Sequence, residues 1–149
     1  EFPWLRTKDE FEKGTPPDSI KQAQDAIRWA DHLVIFYPLW LGSMPALLKA
    51  FLEQVFRPGV AFEYRAQGKM AKKLFTGKSA RIVVTMGMPA LVYRWFFLAH
   101  SLKSLERNIL AFCGIKPTRA TLIGQVEGMN ERQRASWLDE MRGLGDVGK

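Results

Sequence analysis

Apolar residues follow two alternating spacings along this chain, one typical of helices and one typical of strands. Helical spacing, with apolar positions every three or four residues, occurs over 19–30 and over 44–55. In the second segment the stripe is broad and consists of Met44, Leu47, Leu48, Phe51, Leu52 and Val55. The stretch 118–123 is also predicted to contain a strand, and short continuous apolar runs occur at 32–37 and 81–85. Such runs are typical of parallel strands that are buried on both faces.

Two further helices are predicted in the second half of the chain. One is a long continuous helix through 95–112, with apolar residues three or four apart and Gly114 as its natural end. The other begins after Asn130, a favoured capping residue. The first 17 residues show no clean period and are predicted to be irregular, and 19–22 has the form of a capping box.

The order of these elements predicts the fold class. Helices and strands alternate, which favours an α/β fold with a parallel sheet and helices on both of its faces. We therefore expect 32–37 to lie beside 81–85, and 81–85 to lie beside 118–123 with parallel strands throughout. The run at 81–85 should be the central strand of the three.

The composition limits the class of protein but does not indicate a particular function. The chain has 149 residues, which is consistent with one domain over 1–149, and it carries a net charge of +7. The basic residues are scattered, so a solvated basic face or attraction for a small anion is expected rather than nucleic acid binding. No apolar run is long enough to span a membrane. The single cysteine, Cys113, suits a cytoplasmic protein, and with only His32 and His100 as histidines no metal site is expected.

Two loops that follow predicted strands are the candidates for ligand binding. The segments 38–43 and 85–89 each contain glycine and each precede the start of a predicted helix. In parallel sheets, ligands bind beyond the carboxyl ends of the strands, where free N–H groups at helix starts favour electron-rich atoms. These loops would also supply an apolar wall, formed by Trp40, Leu41, Met86 and Met88, which would suit a flat, partly polar ring system.

The stretch "FYPLWLGSMPALLKAFLEQVFRPGVAFEY", followed by "GKSARIVVTMGMPALVYRW" and "SLERNILAFCGIKP", resembles the NAD(P)H:quinone oxidoreductases of the flavodoxin-like fold. The resemblance covers roughly 17–142. It implies a flavodoxin-like three-layer α/β/α domain that carries FMN or FAD. It also implies that NAD(P)H reduces the flavin and that a quinone-like acceptor then takes the two electrons.

The resemblance also assigns roles to individual residues. It implies that the isoalloxazine is held, largely through backbone groups, by one loop, and that the other loop meets its pyrimidine side. The first loop comprises Pro38, Leu39, Trp40, Leu41 and Gly42, and the second comprises Thr85, Met86 and Gly87. Tyr93 falls where the family has a tyrosine that faces the substrate, so we expect it to donate a hydrogen bond or proton to the acceptor.

Compared with the family pattern, strands 1 and 2 of the flavodoxin-like sheet are expected to be missing from this chain, which would then be the C-terminal two-thirds or more of the domain. Two alternative functions stay open, namely a flavoprotein regulatory subunit of a potassium-efflux transporter and a cofactor-free remnant domain. A homodimer that uses 90–112 is also expected, because one helix face cannot bury the whole run 95–98.

Overall fold

The computed structural model describes residues 2–65 and 70–148, and its centre is a three-stranded parallel sheet. The strands are β1 (His32–Pro38), β4 (Ser79–Thr85) and β5 (Thr118–Ile123), in the order β1-β4-β5. All three predicted strands, both parallel pairings and the central place of 81–85 are thereby confirmed. β4 is central because its side chains are apolar on both faces, and Ile82, Val83 and Val84 are fully buried.

Helices surround this sheet on both sides. The helices before β4 are α1 (Lys8–Lys13), α2 (Asp18–Trp29) and α3 (Ala46–Val55). A small antiparallel pair, β2 (Phe62–Glu63) and β3 (Lys72–Lys73), lies between α3 and β4. The segment between β4 and β5 contains a π-helix (Val92–Phe96), α4 (His100–Ser104), a second π-helix (Leu105–Leu110) and α5 (Ala111–Cys113). A 3₁₀ turn (Val126–Gly128) and α6 (Glu131–Asp146) follow β5.

The amino-terminal segment is more ordered than its pattern predicted. Thr7 caps α1, since its side-chain oxygen accepts a hydrogen bond from the Glu10 amide at 3.1 Å. The guanidinium of Arg57, at the end of α3, donates to the carbonyl oxygens of Glu10 (3.1 Å) and Gly14 (2.7 Å). The expectation of an irregular segment was therefore wrong, because capping and a buried arginine stabilise a helix that has little apolar periodicity.

One helix start also differs from expectation. α2 begins at Asp18 after Pro17, so Ser19 lies inside the helix and does not act as its cap. Proline fits this place because it has no N–H group that would be left without a partner. At α6, by contrast, the expected cap is confirmed: Asn130 accepts from the Gln133 amide at 2.9 Å, and the Gln133 side chain accepts from the Asn130 amide.

The long helix predicted through 95–112 is interrupted. Leu98 and Ala99 both have positive φ, 54° and 47°, and this left-handed pair separates the first π-helix from α4. The Ala99 amide donates to the Tyr93 carbonyl oxygen (3.0 Å) instead of continuing an α-helical pattern. The predicted end is nevertheless confirmed, because Gly114 has φ of 104° and the Ile115 amide returns to the Leu110 carbonyl oxygen at 2.9 Å.

The first strand was expected to be buried on both faces, and this expectation was wrong. Leu33, Ile35 and Tyr37 pack toward the core, whereas Val34 and Phe36 are 53% and 60% exposed. Among the described residues β1 is an edge strand with neighbours on only one face, which an apolar run by itself does not reveal. No described helix combines the length and apolar character needed to cross a bilayer.

Cys113 gives a direct test of how tightly this core is closed. Burial raises the pKa of its thiol to about 12, although nearby Lys73 opposes the shift. We expect the native protein to react with a thiol reagent about a hundredfold more slowly than the unfolded chain, since only the thiolate attacks. The measurement is the rate of chromophore release from Ellman's reagent with and without denaturant. Equal rates in the two conditions would show that the segment around α5 opens freely.

Candidate functional site

The two candidate loops lie side by side at the carboxyl end of the sheet. In the β1–β4 ladder Pro38 is the partner of Thr85, so both strands end at the same level. The Leu39 amide continues the ladder by donating to the Thr85 carbonyl oxygen at 2.7 Å. The structure therefore brings together the two loops that the sequence predicted to face one ligand, because parallel strands in register must end at one edge.

The loop after β1 is a tight turn rather than a simple passage into α3. Trp40 and Ser43 exchange two backbone hydrogen bonds, each 2.9 Å long. The two residues between them, Leu41 and Gly42, have φ of 48° and 77°. Two central residues with positive φ define a turn of type I′, in which glycine is favoured at the second place. Glycine is favoured at position 42 because of this positive φ. Crowding is not the reason, since a β-carbon built there would have no atom within 4 Å.

This turn determines which of its N–H groups are available. The amides of Leu39, Trp40 and Ser43 are used within the fold, and Pro38 has none. Among the described residues, no backbone group accepts from the amides of Leu41 or Gly42. The turn therefore presents two adjacent donors to solvent.

The side chains of the turn are also exposed. Trp40 is 63% exposed and Leu41 is fully exposed, while Leu39 packs against the core. Large apolar side chains at a turn of this kind offer an apolar surface next to the two free amides. The geometry suits a flat group that has hydrogen-bond acceptors along one edge.

The loop after β4 contributes mostly backbone. The Met86 side chain is only 3% exposed and belongs to the core, so it does not form the apolar wall expected of it. Its amide donates to the Ile123 carbonyl oxygen at 2.9 Å. Gly87 is exposed, and a β-carbon there would have only the Glu127 Oε1 atom near it, at 3.9 Å. Of the second loop, Gly87 and the partly buried Thr85 remain accessible.

A third loop, which the sequence analysis missed, joins these two. The segment after β5 bonds to the second loop through the Gln125 amide, which donates to the Met88 carbonyl oxygen (3.1 Å), and the Val126 amide, which donates to that of Met86 (3.2 Å). Gly124 makes this approach possible, because a β-carbon there would lie 2.4 Å from the Ala90 nitrogen. The same rule that selected the first two loops, glycine after a parallel strand, would have selected this one.

The Tyr93 side chain is buried and is not exposed toward the two loops. Its side chain is 2% exposed, and its hydroxyl lies 2.7 Å from the Ser101 Oγ atom and accepts from the Leu102 amide at 3.2 Å. These bonds link the first π-helix to α4 across the left-handed pair. The predicted role of Tyr93 toward an acceptor stays a prediction, and the nearby His100 is exposed.

A second buried tyrosine lies close to this site and was not singled out by the sequence. Tyr37 directly precedes the first loop, is 4% exposed, and has a hydroxyl without a hydrogen-bond partner among the described residues. Burial raises the pKa of Tyr37, and the neighbouring Tyr93 and Glu106 raise it further. The residue therefore stays protonated at neutral pH. No group of three potential metal ligands occurs within residues 2–65 and 70–148.

Similar proteins support the fold and give it a family. The chain is 28% identical over 127 residues to an uncharacterized NAD(P)H oxidoreductase of Haemophilus influenzae. This match covers 85% of the chain and 62% of that protein. It is 35% identical to an FMN-dependent NADH:quinone oxidoreductase of Hahella chejuensis over 68% of this chain and 52% of that protein. The chain thus spans less than two-thirds of the length of these curated relatives.

A solved structure agrees with these relatives. The crystal structure of Smu.1420 from Streptococcus mutans has a TM-score of 0.76 and 28% identity, and the match covers 97% of this chain and 74% of that one. The family model described as flavodoxin-like fold matches residues 2–143. Together with the parallel sheet and the loops at its carboxyl edge, this match shows that the chain belongs to the flavodoxin-like fold family.

Proposed function

We propose that this chain carries the flavin site of an FMN-dependent NAD(P)H:quinone oxidoreductase. The observation that carries the proposal is the meeting of the two glycine-bearing loops at one edge of the sheet, with free amides and exposed apolar side chains. The names of the relatives support it, since one is an NAD(P)H oxidoreductase and another an FMN-dependent NADH:quinone oxidoreductase. We propose FMN rather than FAD because the name of the second relative specifies FMN.

The described residues fit such a group. The free amides of Leu41 and Gly42 would donate to ring acceptors, and the Trp40 side chain would lie against the ring. Gly87 would let backbone approach closely, because it has no side chain at the accessible end of the second loop. When bound, the flavin supplies the two-electron chemistry by taking hydride from NAD(P)H and passing the electrons to a quinone-like acceptor.

Tyr93 is proposed to donate a hydrogen bond to the oxygen of the acceptor. In this structure its hydroxyl is committed to Ser101 and to the Leu102 amide, so direct donation requires the hydroxyl to exchange the Ser101 contact for the acceptor. That exchange is local, because Ser101 lies only two residues after the left-handed pair at 98–99.

The alternatives have less support. Neither relative described above carries the name of a transporter subunit, and the free amides at the first turn count against a remnant without a ligand. The proposed location is the cytoplasm, where NAD(P)H is available and a single cysteine stays reduced. One domain over 1–149, with no nucleic acid partner, completes the proposal.

A homodimer is proposed to bury the exposed apolar surface of the first π-helix. Trp95 and Phe96 are 72% and 79% exposed, and Phe97 and Leu98 are nearly half exposed. Phe96 and Phe97 contact edge to face, with ring centroids 5.0 Å apart. Aromatic clusters of this kind are enriched at the centres of subunit interfaces.

The first test replaces Gly42 with valine. Gly42→Val should weaken FMN binding by about 5- to 150-fold, because a β-branched residue disfavours φ of 77° and the turn would lose one or two hydrogen bonds worth roughly 1–3 kcal/mol. Titration of FMN fluorescence measures the affinity. Met44→Leu, in the segment that follows, should be nearly neutral.

Gly59→Val is a matched control for backbone strain. Gly59 has φ of 81° and, like Gly42, no atom within 4 Å of a built β-carbon, but it lies in a turn remote from the loops. Both variants should lose stability in melts without flavin, and only Gly42→Val should lose affinity. If Gly42→Val binds FMN as the parent does, the turn is only structural.

A second test separates direct from indirect roles of Tyr93. Tyr93→Phe should lower kcat for quinone reduction by about a hundredfold if the hydroxyl assists the acceptor. Ser101→Ala removes the same internal hydrogen bond and should leave kcat nearly unchanged. Steady-state rates and FMN content are measured for both variants. Equal losses of kcat would assign Tyr93 a positioning role.

The dimer is tested by sedimentation velocity. The parent protein should sediment as a dimer at micromolar concentration, and Trp95→Ser with Phe96→Ser should shift it to a monomer, because the apolar surface is lost. Leu138→Ser is the control, since Leu138 is a comparably exposed apolar residue (65%) on α6. A monomeric parent, or the same shift with the control, would contradict this interface.

A further inference from the structure

The outer edge of β5 is open and lies beside a groove. Within the described part of the chain, β5 pairs with β4 on one side and with no strand on the other. An open strand edge presents a row of N–H and C=O groups that an added strand can bond. This edge is distinct from the candidate flavin site, which lies at the ends of the strands.

Two cavities form the groove along this edge. One, of about 460 Å³, lies between β5 and the helical segment before it, with Leu98, Leu102, Ala120 and Leu122 as its apolar walls. The other, of about 990 Å³, continues toward the start of β5 and includes Pro117 and Thr118 in its lining. Glu106 lines both cavities, so they adjoin.

Most of the charged residues that line this groove are basic. Its basic lining residues are Arg94 and Lys103 in the smaller cavity and Lys73, Arg107 and Lys116 in the larger one. Glu106 is the only carboxylate that lines either cavity among the described residues. Burial raises the pKa of Glu106, while the charges of Arg107 and Lys103 lower it.

In the part of the chain that the structure describes, the basic residues of the groove have no carboxylate partners, although Lys73 donates to the Ala111 carbonyl oxygen at 2.9 Å. By contrast, six lysines and arginines on α1, α2, α3 and α6 pair with acids three or four residues away, for example Lys13 with Asp9 and Arg142 with Asp139. Among the described residues, no carboxylate lies within 4.0 Å of a charged nitrogen of the five groove residues. Part of the chain's excess charge of +7 is therefore concentrated beside an open strand, with Glu106 as the one carboxylate among five basic residues that line the described groove.

We propose that this groove binds an extended acidic peptide segment of a partner protein, which adds a strand to the open edge of β5. In a strand, every second side chain points to the same face. Acidic residues spaced by two would therefore all face the helical wall and meet Lys103, Arg107 and Lys116. The main chain of the peptide would bond to the free edge of β5.

Several features favour a peptide over a nucleic acid. A phosphate backbone cannot extend the strand ladder, because it has no N–H groups to donate to the outward carbonyl groups of β5. The apolar walls at Leu102 and Leu122 suit the methylene groups of glutamate side chains. The inference does not depend on flavin binding, because none of the groove residues belongs to the two candidate loops.

The test uses a fluorescent synthetic peptide that alternates glutamate and valine, with binding followed by anisotropy. We expect saturable binding that weakens as salt is added, since the contacts are partly ionic. A peptide with lysine for glutamate should not bind. A glutamate–valine peptide with N-methyl groups on the edge-facing amides should bind about tenfold more weakly, because it cannot complete the strand ladder.

Charge reversal locates the site. Lys103→Glu with Arg107→Glu should weaken binding of the acidic peptide by about tenfold or more. Arg132→Glu with Arg134→Glu on α6 changes the net charge by the same amount and should have little effect. Glu106→Gln, which removes the one carboxylate, should tighten binding. Thermal melts of each variant verify folding, and Lys103→Ala replaces the double variant if the latter does not fold.

Three results would overturn the proposal. Equal weakening by the two double variants would mean that the peptide senses only net charge. Equal binding of the N-methylated peptide would exclude strand addition. Tighter binding of a single-stranded oligonucleotide that displaces the peptide would assign the groove to nucleic acid. Because Trp95 and Leu98 line the smaller cavity and also belong to the proposed dimer surface, binding is measured at protein concentrations at which sedimentation gives a single species.

Discussion

The hydrogen-bonded register of β4 with its two neighbours is the constraint on which the rest of this structure depends. β4 is bonded on both sides, and its last residue, Thr85, is paired with both Pro38 and Ile123. All three strands therefore end at one level, and the three loops that follow them must share one edge. The loops need no attraction for one another to meet there, because the ladder determines where each begins.

Much of this architecture could be predicted from spacing alone. The apolar runs of β1 and β4 are short and bounded by turn residues, as is the more polar segment of β5. Their alternation with helices leaves a parallel sheet as the consistent arrangement. The order of the strands and the meeting of the loops after β1 and β4 follow from that arrangement. The third loop could also have been predicted, because Gly124 directly follows the strand at 118–123, and glycine also occurs in the loops after the other two strands.

Other features could not be predicted because they depend on neighbours rather than on local pattern. The sequence of 32–37 does not indicate whether a helix layer covers the second face of the strand. The exposure of Val34 and Phe36 could therefore not be predicted. The break at Leu98 and Ala99 carries neither glycine nor proline, which are the usual markers of an interruption. The tertiary bond from Ser101 to the Tyr93 hydroxyl accompanies that break, and no sequence spacing indicates it.

The two glycines Gly42 and Gly124 set different limits on how this fold can vary. At Gly42 the surrounding space is empty, so a residue that tolerates positive φ, such as asparagine, can replace it at modest cost. At Gly124 any side chain would collide with the backbone at Met88 and Ala90, and backbone cannot move aside as a flexible side chain can. Position 124, at the junction of the second and third loops, therefore admits only glycine, whereas position 42 in the first turn tolerates other residues.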